Sequence, residues 1–283
     1  MLMYFYKMHG CGNDFIITAG GRLKNINLSQ LAKNVCRRHF GIGADGLILS
    51  YGGERKNIDY KMRIFNADGT EAEMCGNGIR CFAHYLRRKN KVQKEKINII
   101  TKAGIIKSKF IEFNKYKSKI SVNMGKADFK PENIPICIGD NKRKVMNFPL
   151  EVNDHEFMIN SVSMGNPHTV IFTDNLNKID IAHCGKYISE HKIFPEQTNV
   201  EFVKVVNEHK IKVRVWERGA GETLACGTGA CASAVIGIKK NILKNPVVVE
   251  LEGGKLEIYW QNDRVEMIGP AQFVFKGSYN IKG

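Results

Sequence analysis

A chain of 283 residues is long for a single hydrophobic core and suits two domains of ordinary size. Hydrophobic residues make up 43% of the chain and charged residues 25%, a composition that excludes an intrinsically disordered protein. The apolar runs have the length of strands, not of membrane spans, and the first residues do not form a signal-peptide core. We therefore expect a cytoplasmic protein without a membrane partner, whose cysteines are reduced.

The formal net charge of +15 raises the question of a nucleic-acid partner. The lysines are scattered through runs such as residues 87–96 and 115–119, which lie between apolar segments with the character of strands. Aromatic side chains of the kind that stack on bases are not interleaved with them. The pattern favours a solvated basic surface over a nucleic-acid interface, and such a surface also attracts anionic small molecules.

Taken in chain order, the hydrophobic pattern first predicts a helix over residues 28–40, where Asn27 and Gln30 resemble a capping box. Strands are predicted where polar and apolar residues alternate, for example at residues 60–65, 210–216 and 256–260. Two further helices are predicted to begin directly after Cys75 and Cys226, and each carries an apolar stripe. These stripes predict helices that are buried against curved sheets.

The two halves of the chain repeat each other. The sequence MCGNGIRC at residues 74–81 returns as ACGTGAC at residues 225–231, with a cysteine before Gly-x-Gly in each copy. Two further pairs of segments match at nearly the same offset, namely residues 9–17 with 164–172 and residues 66–75 with 217–226. Several matches at one offset indicate a duplicated domain.

The repeat also predicts where the domains lie. We expect an N-terminal half formed by residues 1–122 and 266–283, which carries Cys75. The C-terminal half is expected to span residues 123–265 and to carry Cys226. A stretch with two prolines at residues 124–135 is the predicted linker between them.

One glycine-rich segment, GIGADG at residues 41–46, matches the G-x-G-x-x-G pattern of dinucleotide sites. It follows a predicted helix and leads into a strand, which reverses the strand–loop–helix order that those sites require. The segment that begins at Cys226 lacks the lysine of a phosphate-binding P-loop. Neither segment therefore indicates a nucleotide cofactor.

The two matching cysteines carry the candidate chemistry. A cysteine just before a helix lies at the positive end of the helix dipole, which stabilises the thiolate and is expected to lower the pKa of the thiol. The glycines that follow leave backbone N–H groups open to an anion. Each motif thus supplies a candidate base and a cradle for a carboxylate. Two such motifs on one substrate suit proton removal from one face of a carbon and proton delivery to the other.

Two other roles for these cysteines need weighing. Unpaired cysteines are often small buried core residues, but a matched pair in glycine-rich helix starts favours function. The spacing from Cys75 and Cys226 to the next cysteine is longer than the C-x2-C of zinc sites, so we expect no metal. The remaining cysteines are predicted to be core residues, namely Cys36, Cys81, Cys137, Cys184 and Cys231.

Five motifs together resemble those of the diaminopimelate epimerase family: MHGCGNDF (8–15), ADGTEAEMCGNGIRC (67–81), GNPH (165–168), TNVEF (198–202) and WERGAGETLACGTGA (216–230). The resemblance implies an α+β fold of two pseudo-symmetric domains, each an antiparallel-rich curved sheet or barrel around a central helix. It also implies an isomerase that interconverts the LL and meso forms of 2,6-diaminoheptanedioate, in the synthesis of lysine and peptidoglycan precursors. The family works without pyridoxal phosphate, metal or another cofactor.

The resemblance assigns roles to individual residues. Cys75 and Cys226 correspond to the two catalytic bases, and Asn13 to a residue beside the reacting carbon. Donors for the carboxylate at that carbon are implied at Gly76, Asn77, Gly227 and Thr228. The distant amino-acid head of the substrate is implied to bind to Asn66, Asn166, Asn199, Glu217 and Arg218.

The chain departs from the family pattern in two places. Gly46 stands where some members have a glutamine that contacts substrate, and Glu266 stands where a tryptophan is expected, which we interpret as a surface change. We interpret His9 and His168 as structural residues, and Cys11 receives no role.

Two alternative functions stay open. A proline-type or histidine-type racemase on the same fold would share the two cysteines, although proline racemases carry histidine where this chain has Asn77. Such an enzyme would also have no use for a second amino-acid head site. The non-enzymatic alternative is a thiol redox protein or a metal-binding protein. For the favoured interpretation the partner is a small-molecule substrate, and a homodimer is left open.

Overall fold

The computed structural model describes residues 1–53, 57–139, 144–153 and 155–281. The chain divides into two compact units, Met1–Asn123 with Ile268–Gly283 and Met124–Met267. Both units combine helices with a largely antiparallel sheet, which confirms the α+β class expected from the sequence. Within the described residues, no helix is both long enough and apolar enough to cross a membrane.

The first part of the chain forms β1 (Leu2–Gly10), β2 (Asn13–Ala19), α1 (Leu28–Cys36), β3 (Gly46–Gly52), β4 (Tyr60–Asn66), β5 (Glu71–Ala72), α2 (Gly76–Arg88), β6 (Lys96–Thr101), β7 (Gly104–Phe113) and β8 (Lys117–Lys126). Strand β1 pairs antiparallel with β2, β2 runs parallel to β3, and β3 pairs antiparallel with β4. Strand β4 runs parallel to β6, and β7 pairs antiparallel with both β6 and β8.

The second part forms β9 (Phe148–Val152), β10 (His155–Ser163), β11 (Pro167–Phe172), α3 (Ile181–Ser189), β12 (Asn199–Asn207), β13 (Lys210–Glu217), β14 (Gly221–Thr223), α4 (Gly227–Lys239), β15 (Val247–Leu251), β16 (Gly254–Gln261) and β17 (Arg264–Asn280). The pairing of β10 through β16 repeats that of β1 through β7, with each pair in the same relative direction. The end of β17 returns to the first unit and pairs antiparallel with β1.

In each unit the sheet is covered by helices on both faces. In the first unit α1 packs against β3 and β4, whereas α2 packs against β1, β2, β3 and β7. Leu47 and Leu49 of β3 belong to the core that includes α1, while Ile48 lies beside Gly78 of α2. A strand that is buried on both faces needs apolar residues at consecutive positions, which explains the unbroken run LIL.

The second unit follows the same plan. Helix α3 packs against β12 and β13, and α4 packs against β10, β11, β12 and β16. Val200 and Phe202 of β12 join the apolar core that contains residues of α3. Glu201 lies between them in the strand, and its carboxylate lies beside Gly229 of α4. A charged side chain is therefore buried in a strand whose neighbouring positions are apolar.

The two helices that follow the cysteines, α2 and α4, each have 13 residues and are buried along most of their length. This confirms the interpretation of their apolar stripes. Cys81 and Cys231 are fully buried in these helices, as predicted for core residues, and Cys36 is buried at the end of α1. Cys137 is exposed, contrary to the prediction, because the chain there alternates and buries Ile136 and Ile138 instead. Cys184 is only half-buried.

Two predicted segments differ from the structure. The helix predicted over residues 28–40 ends at Cys36, because Arg37 adopts an extended backbone and the N–H groups of Ile42 and Gly43 then bond to the carbonyl of Val35. Its N-cap is as predicted, with the Asn27 side chain accepting from the backbone of Gln30. The predicted linker at residues 124–135 is not a free connection. It belongs to the second unit, begins as the end of β8, and forms two backbone hydrogen bonds between residue 128 and residue 163 of the same unit.

Candidate active site

Cys75 is the N-cap residue of α2. Its backbone is extended, with φ −141° and ψ 119°, so the side chain turns back over the first turn of the helix. The Cys75 Sγ atom accepts a hydrogen bond from the backbone N–H of Gly78 at 3.5 Å. The sulfur therefore lies at the positive end of the α2 dipole, and the cysteine is half-buried.

A chain of side-chain amides connects Cys75 to a buried guanidinium. The Oδ1 atom of Asn13 lies 3.7 Å from the Cys75 sulfur and accepts a hydrogen bond from the Nδ2 atom of Asn77 at 3.3 Å. The Oδ1 atom of Asn77 in turn accepts from Nη2 of Arg80 at 2.7 Å. Arg80 is fully buried, and its Nε atom donates to the carbonyl of Pro270 at 3.0 Å. These contacts fix the orientation of both amide groups.

The other end of the Asn13 side chain is held by a charged cluster. Its Nδ2 atom donates to Oδ2 of Asp45 at 2.8 Å. Asp45 forms an ion pair with Arg38 at 2.7 Å, and Asp14 forms one with Lys7 at 2.6 Å. Burial opposes ionisation of Asp14, but the contacts with Lys7 outweigh it and lower the pKa of that carboxyl. Asn13 therefore presents its oxygen, and not its amide nitrogen, toward Cys75.

Cys226 occupies the equivalent N-cap position of α4. Its Sγ atom accepts from the backbone N–H of Gly229 at 3.3 Å and lies 3.4 Å from the hydroxyl of Thr228. Its residue exposure is 5%, so it is more enclosed than Cys75. The sequence MCGNGIRC and its repeat ACGTGAC thus fold in the same way at the backbone of the helix start.

The side chains around Cys226 are acidic, and this overturns one expectation from the sequence. Burial, followed by the negative charges of Glu217 and Glu201, raises the pKa of the Cys226 thiol well above its ordinary value. The helix dipole was expected to lower it, but here burial and the two carboxylates dominate. Burial also raises the pKa of the Glu217 carboxyl, which accepts hydrogen bonds from the Thr223 hydroxyl and from the Cys226 thiol.

Three of the residues implied for the distant head of the substrate lie together in the second unit. Asn199 is buried, and its Oδ1 atom accepts from the backbone N–H of Arg218 at 3.0 Å while its Nδ2 atom donates to the Pro167 carbonyl at 2.7 Å. Asn166 precedes that proline and is half-buried. The Arg218 guanidinium is exposed and donates from one nitrogen to the carbonyl of Glu196.

His168 lies between Asn166 and Glu201, whose carboxylate lies beside Gly229 of α4. Its Nδ1 atom lies 2.7 Å from Oε1 of Glu201, and both side chains are fully buried. Its Nε2 atom lies 3.0 Å from the side-chain oxygen of Asn166. His168 thus has a hydrogen-bond partner on each ring nitrogen, in keeping with the expected structural role.

The remaining predicted residues are placed as follows. Asn66 is exposed at the end of β4 in the first unit and donates to the hydroxyl of Thr70 at 3.0 Å. The residues Gly76 and Gly227 are buried at the first positions of α2 and α4. Gly46 is buried at the start of β3, where an added Cβ would lie 2.9 Å from the carbonyl oxygen of Phe65.

The departures and the unassigned residues also have definite places. Glu266 is exposed, as expected for a surface change. His9 accepts a hydrogen bond from the backbone of Gly12, and its pKa is lowered by burial. Cys11 is buried, and its sulfur lies 4.0 Å from a guanidinium nitrogen of Arg80. In the described part of the chain, no group of three or more His, Cys, Asp or Glu side chains is arranged to hold a metal ion.

Three charged residues receive no role in the sequence analysis, although they stand inside the quoted motifs and contact or adjoin the predicted site residues: Arg80, Asp45 and Glu201. A signal for two of them was present. Arg80 interrupts the apolar stretch of α2, and Glu201 interrupts a strand with apolar residues on both sides. A charge at a position that the pattern predicts to be buried points to a partner or to a function.

Comparison with known proteins agrees with the motifs. The family model described as diaminopimelate epimerase matches residues 5–130 and 160–274. The curated diaminopimelate epimerase of Halothermothrix orenii is 52% identical over 282 residues, covering 100% of this chain and 99% of the relative. That of Carboxydothermus hydrogenoformans is 49% identical, covering 98% of this chain and 99% of the relative.

Solved structures show the same fold at much lower identity. A PhzF-family phenazine biosynthesis protein of Bacillus anthracis superposes with a TM-score of 0.71 at 17% identity, covering 99% of this chain and 100% of that one. A hydroxyproline epimerase of Agrobacterium vitis superposes with a TM-score of 0.71 at 12% identity, covering 98% and 91%. These similarities establish the fold, and the full-length sequence relatives establish more: the chain belongs to the diaminopimelate epimerase family.

Proposed function

We propose that the protein epimerises LL-2,6-diaminoheptanedioate to the meso form by a two-base mechanism, in which Cys75 and Cys226 act on opposite faces of one α-carbon. The observation that carries the proposal is the repeated N-cap geometry. In each unit a cysteine sulfur accepts a backbone N–H of the first turn of a buried helix of 13 residues. A duplicated reactive thiol is what an inversion by two bases requires.

The proton balance of the reaction assigns one role to each cysteine in each direction. One thiolate removes the α-proton, and the other cysteine delivers its thiol proton to the opposite face of the carbon. After turnover the two protonation states are exchanged. Burial and the neighbouring carboxyls raise the pKa of the Cys226 thiol, a direction that favours the protonated form of this cysteine. In the reverse direction the Cys226 thiolate removes the α-proton and the Cys75 thiol delivers its own, so in this exchange the Glu217 carboxyl acts only as the hydrogen-bond acceptor of the Cys226 thiol.

The carbanion that forms at the α-carbon is stabilised through the substrate's own carboxylate. Backbone N–H groups at the start of a helix bind an anion, and negative charge on a carboxylate grows when the α-proton leaves. We assign this role to the first residues of α2 and α4, namely Gly76, Asn77, Gly227 and Thr228. Asn13, held by Asp45 and Asn77, contacts the reacting end of the substrate.

The distant amino-acid head of the substrate is assigned to the group around Asn199. The guanidinium of Arg218 offers a planar pair of donors to a carboxylate. Asn166 and Asn199, with Asn66 from the first unit, supply polar contacts to the rest of that head. We assign Glu217, whose carboxyl also accepts a hydrogen bond from the Cys226 thiol, as the acceptor for the ammonium of that head.

A direct assay tests the proposal. Purified protein is incubated with LL-diaminopimelate, and the LL and meso forms are separated by chiral chromatography, with and without exhaustive chelation. We expect meso-diaminopimelate to form at the same rate in both samples. Faster racemisation of proline or histidine than of diaminopimelate would support the racemase alternative. Loss of activity on chelation, restored by added metal, would contradict a mechanism that depends on the two thiols alone.

A further inference from the structure

A chain of hydrogen bonds beside Cys75 runs in one direction. Arg80 begins the chain, and its Nη2 atom donates to the Oδ1 atom of Asn77 at 2.7 Å. The Nδ2 atom of Asn77 donates to Oδ1 of Asn13 at 3.3 Å, and the Nδ2 atom of Asn13 donates to Oδ2 of Asp45 at 2.8 Å. Each of the two side-chain amides therefore accepts from the residue before it and donates to the residue after it.

Both ends of the chain fix this direction. A guanidinium has donors and no acceptor, so the Asn77 atom that faces Arg80 is the oxygen. At the other end, the Oδ2 atom of Asp45 also accepts from the backbone N–H of Asp14 at 3.0 Å, and its Oδ1 atom accepts from a guanidinium nitrogen at 2.7 Å. Because three donors converge on this carboxyl group, Asn13 contacts it with its nitrogen and not with its oxygen.

The direction of the chain decides which atom of Asn13 faces the sulfur. The Oδ1 atom of Asn13 lies 3.7 Å from Sγ of Cys75. An amide oxygen accepts two hydrogen bonds, so besides the N–H of Asn77 it can accept the S–H of a Cys75 thiol. A thiolate at the same place receives no N–H from Asn13. The amide thus stabilises the protonated sulfur over the ionised one, which strengthens the thiolate as a base.

The equivalent position in the second unit is filled differently. Thr228 stands where α2 has Asn77, and its hydroxyl lies 3.4 Å from the sulfur of Cys226. A hydroxyl rotates and can either donate or accept. The contact at Cys226 is therefore free to change direction, whereas the contact at Cys75 is fixed by the groups at the two ends of its chain.

We propose that Asp45 is a positioning residue, which holds the amide of Asn13 so that its oxygen, and not its N–H groups, faces Cys75 and preserves the strength of that cysteine as a base. The proposal rests on the proposed function, in which Cys75 removes the α-proton of the substrate. The charged groups joined to this network come from several elements, namely Arg80 on α2, Lys7 on β1, Asp14 on β2, and Arg38 and Asp45 between α1 and β3.

The first test reads the orientation of Asn13 directly in the wild-type protein. The protein is labelled with 15N-asparagine, and the side-chain NH2 signal of Asn13 is assigned with an Asn13→Ser variant. We expect NOEs from these protons to the backbone N–H of Asp14, because both groups donate to the same oxygen of Asp45. Strong NOEs to the β-protons of Cys75 instead would overturn the proposal, and this measurement does not depend on any variant of Asp45 folding.

The second test uses a matched pair of variants, Asp45→Asn and Asp45→Ala. Both remove the charge, but only Asp45→Asn keeps an oxygen that accepts from Asn13 and from the backbone of Asp14. The difference between the two variants therefore measures the acceptor alone. We expect kcat for LL-diaminopimelate to be about three- to tenfold lower in Asp45→Ala than in Asp45→Asn, which is the effect of losing one hydrogen bond.

The titration of Cys75 is the measurement that a merely structural role of Asp45 would leave unchanged between these variants. Protein labelled with 13C at the cysteine β-carbon gives the curve, and Cys75→Ser assigns it. The curve should lie at lower pH in Asp45→Ala than in Asp45→Asn, because an Asn13 N–H that turns toward the sulfur stabilises the thiolate. Asp59→Ala is the control, since Asp59 also accepts a backbone N–H, from Asn98, and pairs with a lysine, and it should move neither the curve nor kcat.

The outcomes distinguish the role of Asp45 from the proposed function. Equal titration curves of Cys75 and equal kcat values in folded Asp45→Asn and Asp45→Ala would overturn the role of Asp45 and leave the function standing. Absence of turnover by the wild-type protein would overturn the proposed function. In that case the NOEs and the titration of Cys75 would still show whether Asp45 orients Asn13, because neither measurement needs a substrate.

Discussion

Cys75 and Cys226 occupy the same place in the two units, as the N-cap of a buried helix of 13 residues, but their neighbours differ in charge. The amides next to Cys75 lead to the buried guanidinium of Arg80. The groups next to Cys226 are the carboxyls of Glu217 and Glu201. The repeat therefore preserves the backbone of the two helix starts, whereas the side chains beside the sulfurs differ, with amides at Cys75 and carboxyls at Cys226.

This difference teaches that a helix start does not by itself decide the ionisation of a thiol. Both sulfurs accept a backbone N–H, yet the pKa of Cys226 is raised because burial and two carboxylates outweigh the dipole. For a reaction that needs one base and one acid at the same time, unlike surroundings are an advantage. Two identical sites would favour the same protonation state at both thiols.

The largest effect is expected from removing either thiol. Cys75→Ala and Cys226→Ala should each reduce the rate of epimerisation by about 10² to 10⁴-fold, because each removes a positioned acid or base. Chiral analysis of product from LL-diaminopimelate measures the loss. Cys81→Ala and Cys231→Ala are matched controls, since these cysteines are buried in the same helices and should affect stability more than kcat. Near-normal turnover in either active-site variant would refute the two-base mechanism.

The next effect tests the network of amides and arginine beside Cys75. Arg80→Met should reduce kcat by about 10 to 100-fold, because it removes a buried hydrogen bond to Asn77 from a charged donor and releases the orientation of Asn13. Arg38→Met is the control, as it removes an arginine that is largely exposed from the Asp45 side of the same network. Equal kcat values for the two variants would show that Arg80 has no special role, and circular dichroism checks that both fold.

The effect of the carboxyls beside Cys226 on its pKa can be tested by titration. Glu217→Gln removes a negative charge beside Cys226, so the pKa of that thiol should fall and its titration should move to lower pH. Protein labelled with 13C at the cysteine β-carbon gives the titration curve of each thiol, and Cys226→Ser assigns the signal. Glu222→Gln should leave the curve in place, since Glu222 pairs with Arg214 and is no cause of the Cys226 shift. A curve that moves upward in Glu217→Gln would contradict the electrostatic explanation.

The smallest effect is expected from alanine at the equivalent glycines of the two helix starts, Gly78 and Gly229. A Cβ at Gly229 would lie 2.6 Å from Oε1 of Glu201, which is held by His168, whereas a Cβ at Gly78 would meet two isoleucine methyl groups at 3.2 Å and 3.3 Å. Gly229→Ala should therefore lower the free energy of unfolding by about 1 to 3 kcal/mol, and Gly78→Ala by less. Urea denaturation of both variants measures the difference. A larger loss in Gly78→Ala would be inconsistent with the packing described.

Much of this architecture follows from the sequence. The alternation at residues 210–216 and the stripes after the two cysteines predict β13, α2 and α4, because burial on one or both faces leaves a periodic record. The helix predicted over residues 28–40 ends at Cys36 in the structure. Its end depends on hydrogen bonds from the N–H groups of residues 41–43, which the local sequence pattern does not predict. Turns of this kind depend on contacts that form only in the folded chain.

The site was predictable in its motifs and not in its electrostatics. The repeat pointed to Cys75 and Cys226, but the raised pKa of Cys226 depends on a carboxylate from β12 and another from β13 that come together only when the sheet forms. For the same reason the hydrogen bond between Glu217 and the Cys226 thiol cannot be read from the sequence, where the family resemblance gives Glu217 a role at the substrate head. Charged residues at buried positions, such as Arg80 and Glu201, are the sequence signal that was available.

The most direct test of the two-base account follows solvent hydrogen during turnover. LL-diaminopimelate is incubated with the wild-type protein in deuterated water, and both the remaining substrate and the product are examined at early times by mass spectrometry. Two thiols on opposite faces predict one solvent deuterium at the inverted α-carbon of the meso product and almost none in the remaining LL substrate. Deuterium in the remaining substrate at a rate similar to that in the product would mean that a single group serves both faces, and would contradict the account.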